Sequence, residues 1–350
     1  MKKLFTCSVF VVLISGLIAS GVFSPSLPHD KLSAYGFFKG EMKDQQPVTG
    51  VIPYKLSTPL FSDYAEKLRF VYMPEGSSAV YNDSSVFDFP KGTVLIKTFY
   101  YPADFRKPEG EKKLLETRLL IRNEKGWAAL PYIWNEEQTD AFLDVAGETK
   151  KVSYTDAGGK KQKHDYVIPN QNQCKGCHNR SEVLLPIGPS ARQLNFDLQY
   201  ESGKMNQLVL WASKGKLDSL PAVHTISPAV AFNEPSTGSI GQRARLWLDI
   251  NCGHCHRPDG PAGTSGLYLH FAETNPLHLG IGKTPVAAGR GSGNLKYSIV
   301  PGSPDESILL YRMQSTDPGI MMPELGRTKP HTEGIALIRE WIASMKTNQP

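Results

Sequence analysis

The sequence predicts a multidomain α+β chain, with an all-β sandwich- or barrel-like domain first and mainly helical domains after it. Three observations carry this. Short β-branched and aromatic runs divided by turn residues fill positions 35–166. Apolar residues recur at helical spacing towards the C-terminus. The 31 Gly and 26 Pro residues among 350 mark a loop-rich globular chain and exclude a fibre. That length supports two or three units that each bury a core, so folding needs no oligomer.

The first element is a leader. Met1-Lys2-Lys3 precedes an apolar run from Leu4 to Ile18, followed by the small residues Ala19, Ser20 and Gly21. A charged start, a short apolar centre and small residues near the cut are what signal peptidase requires, so 1–22 reads as a signal peptide. The run is short for the roughly 20 residues of a membrane helix, and no later stretch approaches that length. A soluble periplasmic chain is the expectation, with an uncleaved N-terminal anchor as the competing reading. Cys7 lies inside the run, which argues against a lipoprotein. The formal charge of +5 loses Lys2 and Lys3 with the leader and gives no sign of a nucleic-acid partner.

The β-rich domain, 35–166, contains the strand-like runs GTVLIKTFYY (92–101), ETRLLIR (116–122) and GWAALPYIW (126–134). Asp63, Tyr64, Trp134, Asn135, Glu136 and Glu137 invite a ligand site, but no metal spacing or acid/base constellation emerges among them, and core and turn roles are expected. Lys150, Lys151, Lys160, Lys161 and Lys163 cluster as a hairpin tip that would either be solvated or guide an acidic partner.

Outside the leader the four cysteines occupy two identical five-residue frames, CKGCH from Cys174 to His178 and CGHCH from Cys252 to His256. Two thiols three residues apart can form thioether bonds to the two vinyl groups of one haem, with the next histidine beneath the iron. Zinc pairs normally follow one another more closely, a redox C-x-x-C would open a helix of a thioredoxin-like unit, and disulfides would leave the repeated histidine unexplained. The frames therefore predict two covalently bound haem c groups, on Cys174 and Cys177 and on Cys252 and Cys255, with His178 and His256 as iron ligands.

A first haem-binding region, 167–235, includes a predicted helix over 204–213 with Leu208 and Trp211. Met73, His164, Met205 and His224 are its candidate sixth ligands, and a structural role is the expectation for each. A vacant sixth site is the other possibility. A linker at 221–241 leads to a cytochrome c-like domain, 236–350, with the second haem. There 242–251 places Ala244, Trp247 and Leu248 on one face and delivers Cys252. Ile335, Ile338, Trp341, Ile342 and Met345 form a last helix behind Thr332 as N-cap. Trp247 is expected near Trp341 or Ile338. Met322, just before Pro323, is the expected sixth ligand, with Met321 as a core filler. His254 is expected to face solvent and Arg290 to meet a propionate.

TPLFSDYAEKLRF, FPKGTVLIKTFYYP, LPYIWNEEQTDA, IPNQNQCKGCH, LDINCGHCHRPDGPAGTSGL, VAAGRGSG and DPGIMMPELGR, as they stand here, resemble a family of bacterial di-haem c-type cytochromes. The resemblance covers nearly everything after the leader. It implies haems at the two CxxCH frames, electron transfer, and genes often beside a parallel β-helix protein. The expected function is a periplasmic cytochrome carrying single electrons between donor and acceptor proteins. Its rivals are a peroxidase-like oxidoreductase with an open first haem and the cytochrome subunit of a dehydrogenase complex.

Overall fold

A computed structural model describes residues 28–346; the leader over 1–22 and Cys7 lie outside the described residues. The chain is mixed α+β, and its centre is a six-stranded antiparallel sheet in sequential order. Its strands are β1 (Val51–Pro53), β2 (Glu66–Tyr72), β3 (Val94–Pro102), β4 (Lys112–Asn123), β5 (Gly126–Trp134) and β6 (Ala141–Leu143). The three runs predicted from β-branched and aromatic content are the central strands β3, β4 and β5. A hairpin of β7 (Glu148–Thr155) and β8 (Lys161–Ile168) follows.

The sheet stays open. Its order ends at β1 and β6 without pairing them, so the described residues form neither a closed barrel nor two facing sheets. The sandwich or barrel is corrected to a meander covered on both faces. One face holds Phe70, Ile96, Leu119, Tyr132 and Trp134 against Leu32, Tyr35 and Phe37 from the segment preceding the sheet. The other face packs Ile52, Val71 and Leu95 against Ala191, Leu208 and Trp211. A two-residue parallel pairing of Leu217–Asp218 with Ala79–Val80 ties the later segment to the stretch between β2 and β3. Burial on both faces explains why β3 reads as a near-continuous apolar run and not as an alternating one.

Helix α1 (Gln171–Cys177) starts at Asn170, whose side chain accepts from the Gln173 amide in a reciprocal capping box. The Gln171 side chain donates to the Ala129 carbonyl at 2.8 Å and fixes α1 over β5. Helix α2 (Gln207–Ser213) begins three residues later than predicted, because Lys204 lies in a hairpin and Asn206 caps the Leu208 amide at 2.9 Å. Helices α3 (Ile240–Asn251), α4 (Ile308–Gln314) and α5 (Thr332–Ala343) build the C-terminal core. Trp247 and Leu248 of α3 meet Ile338, Trp341 and Ile342 of α5, as the spacing predicts.

Thr332 is the first residue of α5 and not its cap; His331 holds that position and accepts the Trp247 indole N–H at 3.1 Å instead. Gly334 permits this approach, since a Cβ there would lie 2.5 Å from two ring atoms of Trp247. Gly→Ala in an open helix stabilises by about 1 kcal/mol. Here Gly334→Ala is expected to destabilise by about 1–3 kcal/mol through overpacking, with the sign read from the shift in thermal midpoint.

Candidate functional site

Two cavities meet where the sheet faces the C-terminal core. The first, about 180 Å³, is lined by Arg69, Lys97 and Arg118 of the sheet, by Cys174, Cys177 and His178, and by Trp247 and His331. The second, about 370 Å³, is lined by Cys252, Cys255 and His256 and by Lys283. Cys177, Asn251, His254, Met313 and Met322 border both.

At that boundary Cys177, His254 and Cys255 each offer one ligand atom, and these atoms lie within 4.8 Å of one another. Helix α1 delivers Cys177 at its last turn, and α3 ends directly before the turn carrying His254 and Cys255. The Cys255 thiol also approaches the Gly176 carbonyl at 3.8 Å. Hydrogen bonds from Cys255 and His254 hold the Cys177 thiol far below its ordinary value, at about 4, against the opposing push of burial. The same bond to Cys177, with burial, raises Cys255. His254 is buried, and its Nδ1 lies 3.3 Å from the Ile250 carbonyl, which can only accept. With Nδ1 donating to that carbonyl, Nε2 is the ring atom left to ligate once the proton it shares with Cys177 is displaced.

The first thiol of each frame has a different environment. Burial raises Cys174, and it pushes Cys252 up to about 12. Burial lowers His178 to about 3 and His256 to about 4, so both rings are neutral at pH 7. The Leu185 carbonyl lies 3.0 Å from His178 Nδ1 and orients that ring.

These positions correct the cofactor expectation. Among the described residues the group of three metal-competent side chains takes one sulfur from each frame together with a histidine from inside the second. Two haem sites would each use both thiols of one frame. Here Cys177 is engaged by Cys255 and His254, while the buried Cys174 and the partly buried Cys252 are protonated thiols. The expectation of two covalently bound haem c groups is overturned on this arrangement. With it go the resemblance to the di-haem cytochromes, the electron-carrier function, and the peroxidase-like and dehydrogenase-subunit alternatives. The chain matches no protein-family model, no curated protein and no solved structure.

His254 is not the solvent-facing residue that its frame suggested; the neighbouring frame, distant in sequence, covers it. Arg290 pairs with Asp317 at 2.8 Å and has no place at either cavity. Met321 is buried, as a filler should be, while Met322 reaches both cavities. Met73, His164, Met205 and His224 line neither. Lys150 is not solvated at a tip: its ammonium is buried and donates to the Trp134 carbonyl at 2.6 Å. No helix among the described residues is long and apolar enough to cross a membrane.

His331, which sequence reading passed over, stacks on Phe61 with ring centres 4.3 Å apart and is held neutral by burial, at about 4 against an ordinary 6.5. Between those values the unfolded chain binds a proton that the folded chain does not. Stability therefore falls as pH drops from 6.5 to 4, by roughly 1.4 kcal/mol per pH unit for this ring. Urea unfolding of the wild type and of His331→Phe at pH 7 and pH 4.5 should show a smaller acid loss in the variant. Equal losses would exclude His331 as a source of the acid sensitivity.

Proposed function

We propose that the chain is an exported metal-binding protein in which Cys177, His254 and Cys255 hold one thiophilic transition-metal ion at the junction of the two cavities. The observation that carries this reading is the convergence of the three ligand atoms within 4.8 Å. Thiolate and imidazole donors are the set that zinc and cuprous ions prefer. The lowered Cys177 supplies thiolate at neutral pH, and the hydrogen bond at His254 Nδ1 sets the tautomer that ligation needs.

Two sulfurs and one nitrogen leave a tetrahedral ion one position for a small molecule, where it would act as a Lewis acid. The chain's own contribution is placement. The neutral rings of His178 and His256 and the thioether of Met322 line the approaches, and Cys174 and Cys252 complete the walls. The 35–166 region supplies the floor of the first cavity, 167–235 carries Cys177, and 236–350 carries the other two ligands. The leader-like residues 1–22 support a periplasmic location for this site.

The test is to purify the full chain from an exporting host and determine metal content, intact mass and optical spectrum together. One ion per chain, a polypeptide mass with no addition and no visible chromophore are expected. A covalent chromophore on the cysteines, or a chain that takes up no Zn²⁺ when offered it, would overturn the reading.

A further inference from the structure

The sheet face beneath the first cavity carries an arrangement that a folded protein ordinarily avoids. Arg69 of β2 pairs in register with Lys97 of β3, and Lys97 pairs in register with Arg118 of β4. Three cations thus stand directly opposite one another across adjacent strands, where like charges destabilise a sheet. Two residues along each strand, on the same face, Lys67 and Phe99 lead to Glu116, which is fully buried. Glu116 is already committed: it accepts from the Arg118 guanidinium at 2.5 and 2.6 Å and from the Tyr166 hydroxyl at 2.7 Å. Among the described residues Arg118 alone of the three has a carboxylate partner. Lys97 instead lies 5.0 Å from the centre of the Phe99 ring, and Arg69 is buried.

All three line the first cavity, whose other walls include Leu95, Leu130, Ile187, Trp247 and Ile335. An apolar chamber over a cationic floor is complementary to a molecule with an apolar body and an anionic head. The cavity of about 180 Å³ is similar in size to an engineered cavity of about 150 Å³ that holds benzene. The body is then one aromatic ring or a short acyl chain.

We propose that Arg69, Lys97 and Arg118 form an anion site in the first cavity that takes a small amphipathic organic carboxylate, its head on the cationic row and its apolar body against the helices. The planar forks of the two arginines suit a carboxylate, and the central lysine adds a point charge between them. Burial, then the neighbouring Arg118 and Arg69, push Lys97 down to about 7, in keeping with the like charges set side by side in the row. The site is independent of the metal reading, because none of the three residues is a ligand of the cysteine cluster.

Benzoate, with benzyl alcohol as its uncharged counterpart, tests this by calorimetric titration of the full chain. Benzoate should bind at least tenfold more tightly than benzyl alcohol and lose affinity as salt is raised. Lys97→Met should weaken benzoate at least tenfold while raising the melting temperature of the anion-free chain, since it removes a like charge. Arg69→Met tests the same row should Lys97→Met fail to fold. Equal affinity for benzoate and benzyl alcohol, or unchanged benzoate affinity in a folded variant, overturns the proposal.

Discussion

Cys177→Ser and Cys255→Ser are each expected to weaken Zn²⁺ binding at least 100-fold, whereas Cys174→Ser and Cys252→Ser change it less than about tenfold. The asymmetry follows from position. Cys177 and Cys255 belong to the three-ligand group, while Cys174 and Cys252 are thiols raised by burial. Altering a residue that merely supports a ligand costs about 10–100-fold in metal affinity, so removing one of three direct donors costs more. Competition against a chromogenic chelator at fixed pH measures all four variants on one scale. If the first thiols prove as damaging as the second, the frames act as two intact pairs and the shared cluster is wrong. His254→Ala should group with Cys177→Ser, a result that its sequence frame alone would never suggest.

Asp63→Ala should cost about 3 kcal/mol of stability and broaden unfolding. The Asp63 carboxylate is buried in the loop before β2 and accepts from the Thr328 amide at 2.7 and 2.9 Å, the Thr328 hydroxyl at 2.9 Å and the Lys329 amide at 2.8 Å. It is a clamp between the sheet and the segment leading into α5. Hydrogen bonds to a charged acceptor are worth about 1.5–3 kcal/mol each and do not add fully. Removing the carboxylate also leaves the Thr328 and Lys329 amides without this acceptor. Asp63 sits at φ 51°, a conformation Asn tolerates better than Ala. Asp63→Asn therefore isolates the charge, and an intermediate loss is expected. Urea unfolding followed both by tryptophan fluorescence and by far-ultraviolet dichroism supplies the measure. A loss below about 0.5 kcal/mol with coincident transitions would mean that the clamp holds nothing together.

What could be read from the sequence was local. The runs at 92–101, 116–122 and 126–134 carry their β preference in their own side chains, and all three are central strands. The α3 and α5 pattern, with Trp247 against Ile338 and Trp341, follows from helical period. The rest depends on register and on distant neighbours. Nothing around Arg69, Lys97 or Arg118 announces that three strands will align them. The CGHCH frame likewise says nothing of the helix end that meets it. Asp63 and Tyr64, acidic and aromatic residues for which core or turn roles are the expectation, take bonding roles at the α5 approach.

The contact between Cys255 and Gly176 joins positions 79 residues apart. An ion bridging Cys177 and Cys255 would convert that stretch of chain into a closed ring, and the entropy of a loop grows only slowly with its length. Most of what such a ring costs an opened chain is therefore incurred by closing it at all. Bound metal would act as a covalent staple does, and the concentration of the ion would set how long the folded chain resists proteolysis. Starvation for the ion would then be recorded as turnover of the protein.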